Sequence, residues 1–112
     1  MRIGVLSEGD TLESFVAEDF GHAPYFLIVD PETLDYQVVS NEFVGAEGAG
    51  MKVADAIIAL KVDAVITGGI GPHGYEALTA AGIKVSFDEE GTAEDSIRDF
   101  MRRLERQKRF SD

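Results

Sequence analysis

Residues 63–74 read Asp63-Ala64-Val65-Ile66-Thr67-Gly68-Gly69-Ile70-Gly71-Pro72-His73-Gly74. The opening run is apolar without polar alternation, the pattern of a strand covered on both faces. A glycine-rich turn follows, and Pro72 stands where a helix takes its first residue. Strand, tight turn and helix in that order belong to an α/β fold.

Reading outward, the helix from Pro72 runs to about Ala81, and Gly82 closes it in the way glycine ends many helices. Ile83, Val85 and Phe87 then alternate with polar residues, as an edge strand does. Upstream, Val53, Ile57 and Leu60 fall at i, i+4 and i+7 with Ala54 and Ile58 beside them, which makes one helical stripe. Arg2 to Leu6 is a short strand stopped by Ser7-Glu8-Gly9-Asp10. Pro24 to Val29 is another continuous apolar strand, and Asp30-Pro31-Glu32-Thr33 places proline where a type I turn wants it. Leu34 to Ser40 alternates, with Leu34, Tyr36 and Val38 on one face. Asn41 to Gly50 holds three of the twelve glycines and no period, which predicts a mobile surface connection. Thr92 with Asp95 three residues on resembles a capping box, and Ile97, Phe100, Met101 and Leu104 line a final helix.

The element order is therefore βββαβαβα. The strands that alternate belong at the edges and those that do not belong inside, so the sheet order is 3-2-1-4-5. The second strand is antiparallel to the first, and helical crossovers make the first, fourth and fifth parallel. The expected architecture is a mixed five-stranded sheet with helices on both faces, a three-layer α/β/α fold. At 112 residues the chain suits one domain over 1–112.

Composition narrows the function. No apolar run approaches the roughly 18–20 residues a bilayer needs, and the N-terminal apolar run is too short for a signal sequence, so a soluble, cytoplasmic protein is expected. Without cysteine there is no thiolate-held metal, and any metal must be held by histidine, carboxylate or backbone. A net charge of −11 is the wrong sign for a nucleic-acid partner. Cations crowd the last helix from Arg98 to Arg109. That basic end, 98–109, reads first as a solvated helix face favoured by the macrodipole and second as a docking surface.

Ligands of open α/β sheets bind beyond the carboxyl ends of the parallel strands, where connectivity changes direction. Here that point lies between the first and fourth strands. The loop after the first strand, starting at Ser7 to Asp10, the approach to the second strand, Asp19 to Ala23, and the glycine segment 68–74 are all expected to reach it, bringing His22 and His73 to one edge. The glycine segment also fits G-x-G-x-x-G at Gly69, Gly71 and Gly74, with Asp88 further on. It comes too late in the chain, and its helix is too short, for a dinucleotide-binding half. A glycine turn into a helix start still offers N–H groups to a phosphate, an oxyanion or a sulfide-rich cluster. Acids such as Glu8, Asp10, Asp19 and Asp88 do not form a two-metal constellation, and the first strand is acid-free, which argues against a hydrolase.

Two stretches, Phe20-Gly21-His22-Ala23-Pro24-Tyr25-Phe26-Leu27-Ile28-Val29-Asp30 and Val62 to Pro72 (VDAVITGGIGP), together with Gly48-Ala49-Gly50 and Ala81 to Val85, resemble the dinitrogenase iron-molybdenum cofactor biosynthesis family. The resemblance implies a ribonuclease H-like motif without nuclease activity. It also implies a non-enzymatic carrier that takes an iron-molybdenum-sulfur cluster, a precursor or another metal-sulfur cluster from donor proteins and passes it to acceptor proteins. The candidate cofactor-binding residues are Asp19, His22, Gly68, Gly69, Gly71 and His73, with His22 and His73 as metal ligands. Where cofactor-binding members commonly carry a histidine before the Phe-Gly pair, this chain has Asp19. The alternative is a metal-free anion- or nucleotide-binding regulatory module built on the glycine loop 68–74.

Overall fold

The first strand runs through the middle of the molecule. In a computed structural model that describes residues 1–110, β1 (Ile3–Ser7) is buried along its whole length. It pairs antiparallel with β2 (Tyr25–Val29) on one side and parallel with β4 (Ala64–Ile66) on the other. Beyond these lie β3 (Tyr36–Ser40), antiparallel to β2, and β5 (Lys84–Ser86), parallel to β4. The order β3-β2-β1-β4-β5 is the one the hydropathy pattern predicts. The expected single domain over 1–112 extends to Ser111 and Asp112, which lie outside the described residues.

Continuous apolar strands require cover on both faces, and each face has its own core. On one, Leu6, Phe26, Ile28 and Val65 meet Val53, Ala54 and Ile57 of α1 (Ala49–Ala59) and Leu78 of α2 (Pro72–Ala80). On the other, Ile3, Val5, Leu27, Val29, Ala64 and Ile66 meet Ala93, Ile97 and Phe100 of α3 (Ala93–Phe110). Three layers result. Among the described residues no helix is long and apolar enough to cross a membrane.

The element ends depart from the sequence reading for local reasons. Leu34 is not part of β3. It takes a left-handed φ of 64° and donates its N–H to the Asp30 carbonyl, so the turn runs on and the strand begins at Tyr36. Helix α1 starts at Ala49, ahead of its apolar stripe, with Gly48 at φ 69° as N-cap. Strand β5 stops before Phe87, whose ring packs edge-on against Tyr75 at a centroid distance of 5.8 Å. Of the capping box expected at α3 one arm forms, with Thr92 Oγ1 accepting the Asp95 N–H at 3.2 Å. The basic part of α3 is exposed, with Arg98 and Arg102 facing acids one turn back and Arg103 reaching Glu89 at 2.7 Å.

Just past β4, the N–H of Gly68 donates to Ala17 O at 2.9 Å, and that of Gly69 to Glu18 O at 2.6 Å. A Cβ at 68 would collide with the carbonyl oxygens of both Ala17 and Glu18. Because those are backbone atoms, Gly68→Ala must displace a strand end; the expected loss is about 3 kcal/mol or more, read as a fall in the urea midpoint. The neighbouring Thr67 is fully buried, and its Oγ1 has no hydrogen-bond partner. Thr67→Val removes that unsatisfied hydroxyl while keeping the shape, so it should stabilise by about 1 kcal/mol; a fall in the same midpoint would contradict this.

Candidate functional site

The glycine contacts at the end of β4 are one side of a weave. After β1 the chain loops out and returns at Val16 and Ala17, where the Ala17 N–H donates to Leu6 O at 2.8 Å. It then runs beside the glycine segment, Asp19 bridging Gly69 in parallel and the Phe20 N–H donating to Gly69 O at 2.9 Å. Phe20 is buried, and its ring lies where a Cβ on Gly74 would sit only 3.4 Å away. That packing seats the start of α2 against the short 3₁₀ turn Phe20–His22.

The turn is held at its head by Asp19. Its Oδ1 accepts the Gly21 N–H at 3.0 Å, and its Oδ2 lies 2.8 Å from His22 Nδ1. Gly21 is buried beside the start of α1, where a Cβ would sit in ordinary van der Waals contact with Ala49 and Gly50 at 3.7 Å.

Between the turn and the starts of α1 and α2 opens a cavity of about 410 Å³. Asp19, His22, Gly71 and His73 all line it, so four of the six sequence-derived candidates and both histidines come together. Gly68 and Gly69 do not. They face a separate recess with Glu18, Asp88, Glu89 and Glu90, and their N–H groups are taken by the Ala17 and Glu18 carbonyls. The expected anion cradle over Gly68 and Gly69 is therefore replaced by internal hydrogen bonds, and the glycine loop divides at Ile70.

The remaining wall comes from residues 45–51, all but the last within the 41–50 segment read from sequence as a mobile connection. Gly45, Ala46, Gly48, Ala49, Gly50 and Met51 all line the cavity. The segment is anchored: Asn41 is buried, its Nδ2 donating to Ala23 O and its Oδ1 accepting the Phe43 N–H. The usable signal was Gly48 just before a helical stripe, because a left-handed N-cap and an early helix start need glycine there. Two helix starts thus meet at one cavity. First-turn N–H groups have no intrahelical acceptor, and those of Gly50 and Met51 in α1 and of His73 and Gly74 in α2 gain no other partner among the described residues. Such ends favour negative charge.

Charge is distributed to match. Although the chain has 21 acids, Asp19 is the one acidic residue among the described residues that lines this cavity, and it is engaged with Gly21 and His22. Among the described residues no three histidines or carboxylates cluster closely enough to hold a metal ion by themselves. The donor set therefore suits a group that brings its own ligands, with imidazoles and N–H groups completing the contacts.

The chain belongs to the dinitrogenase iron-molybdenum cofactor family, whose model matches residues 1–103. The apo form of the orange protein from Desulfovibrio gigas is 36% identical over 90% of this chain and 87% of that one, with a TM-score of 0.82. A Thermotoga protein placed in the DUF35 family and solved by NMR is also 36% identical, over the same shares of each chain, with a TM-score of 0.76. No match was found among curated proteins.

Phe20 joins the weave to both walls of the cavity. Phe20→Ala should cost about 3–5 kcal/mol, the usual range for emptying a buried aromatic site, and should quicken amide exchange at His22 and at Tyr75, whose N–H donates to Gly71 O, more than at β1. Equal protection across all three would show that Phe20 does not seat the cavity.

Proposed function

We propose that the protein is a non-enzymatic carrier that binds an iron-molybdenum-sulfur cluster, its precursor or another metal-sulfur cluster in this cavity and hands it on to an acceptor protein. The observation that carries the reading is the convergence of both histidines and two helix starts on one weakly charged cavity of an otherwise strongly acidic chain. Family membership points to the class of cargo, and the apo description of the D. gigas relative implies a separable ligand there.

The division of labour follows from the donors. Imidazole is a ligand for iron and copper, so His22 and His73 would bind metal atoms at the edge of the cluster. The N–H groups of Gly50, Met51, His73 and Gly74 would donate to sulfide or oxo ligands, with the helix dipoles favouring the anion. Ala46, Ala49, Met51 and Pro72 supply apolar wall. A site with two imidazoles and no thiolate grips less firmly than a Cys-based cage, which suits release to an acceptor. The cluster arrives from a donor and leaves unchanged; the chain makes or breaks no bond within it. Work at the cell interior and partnership with donor and acceptor proteins are parts of the same proposal.

The test is anaerobic incubation of metal-free protein with copper and tetrathiomolybdate, and separately with iron, sulfide and molybdate. Desalting, visible spectroscopy and elemental analysis follow. Wild type should retain a stoichiometric chromophore in one mixture, and His22→Ala should retain less by about tenfold or more, given that even an outer-shell partner of a ligand is worth that much. Absence of retained metal in every mixture, with stabilisation by phosphate ligands that ignores both histidines, would replace the carrier by the anion-binding module.

A further inference from the structure

We infer that Asp19 is a positioning residue for the cargo site: it holds His22 in the Nδ1–H tautomer and so presents the Nε2 lone pair to the cavity. The inference rests on the carrier reading and deepens it, assigning the departing Asp19 a role that direct ligation does not describe.

Both oxygens of Asp19 are occupied. Oδ1 accepts the Gly21 N–H at 3.0 Å and Oδ2 lies 2.8 Å from His22 Nδ1. An ionised carboxylate only accepts hydrogen bonds, so the ring nitrogen facing it must carry the proton. In a neutral imidazole the other nitrogen then holds the free electron pair, the form a metal takes. The carboxylate cannot swing away without cost to the turn, because it caps the 3₁₀ helix whose next residue, Phe20, is buried and bonded to Gly69. Aspartate at position 19 and histidine at 22 sit one 3₁₀ turn apart, where side chains three residues apart eclipse.

Magnitude separates this role from a structural one. The two side chains are 65% and 60% exposed, and an exposed pair of this kind adds little to stability. Holding a ligand imidazole by a carboxylate on its other nitrogen, by contrast, typically changes metal affinity 10–100-fold. The contact therefore matters for the direction and tautomer of the ring.

Asp19→Asn is the discriminating variant. Its Oδ1 can still cap Gly21, which turns its NH₂ group toward His22 Nδ1; a donor there forces the proton to Nε2 and blocks the lone pair. The measurement is long-range ¹H–¹⁵N correlation of the imidazole rings at about pH 8, above the usual histidine range, with His22→Ala identifying the signal. Wild type should show Nδ1–H and a bare Nε2, whereas free histidine favours Nε2–H. Asp19→Asn should switch to Nε2–H with an unchanged urea midpoint, and Asp19→Glu should restore part of the wild-type signature. Copper titration should then show a 10–100-fold weaker Asp19→Asn protein, and no further loss when that change is added to His22→Ala.

An Nε2–H wild type, or an Asp19→Asn ring that stays Nδ1–H, overturns the inference even if His22→Ala abolishes cluster retention. Conversely, the tautomer switch together with cluster retention indifferent to His22 upholds Asp19 as the group that orients the ring and overturns the carrier reading alone.

Discussion

Everything at the cavity depends on how closely the backbone of Gly68 approaches the carbonyls of Ala17 and Glu18. Two hydrogen bonds and the lack of a side chain let the returning loop lie flush against the end of β4. That contact brings Asp19 alongside Gly69 and delivers Phe20 into the core beside Gly74. Buried backbone donors and acceptors must find partners, and here the end of a parallel strand and an irregular loop satisfy each other. The glycine segment thus does its first work as mortar within the fold, and only its later half, from Gly71, faces the cavity.

Strand order and layering were legible because they rest on patterns that span many residues. The absence of alternation in residues 25–29 and 64–66 reports two covered faces, and the sheet carries a core on each. What misled was local. Leu34 reads as one tooth of an alternating strand, yet a single left-handed φ leaves it in the turn. Residues 45–51 carry no period, so their place in the cavity wall was hidden; it arises from Asn41 tying the loop to Ala23, a long-range hydrogen bond that no spacing announces.

The candidate site was half legible for the same reason. Topology alone brings His22 and His73 to one end of the sheet, because β2 runs backwards and starts beside the end of β1. Topology cannot say which N–H groups are already used. Gly68 and Gly69 look like anion donors in sequence, and their acceptors come from a loop some fifty positions away whose path is set by packing. Net charge was similarly blunt: −11 for the whole chain says nothing about how few acids line this cavity.

The three stretches that wall the cavity, near residues 20, 48 and 72, meet only after the central strands have paired. An unfolded copy of this chain has no thiolate and just two widely spaced imidazoles, so it lacks the converging soft donors that a metal-sulfur cluster needs. Cargo that binds the folded form and ignores the unfolded one adds its binding free energy to stability by mass action. On the carrier proposal a loaded molecule would resist proteolysis better than an empty one. The empty protein left after delivery would, on that proposal, be the form a cell's quality control can recognise and turn over.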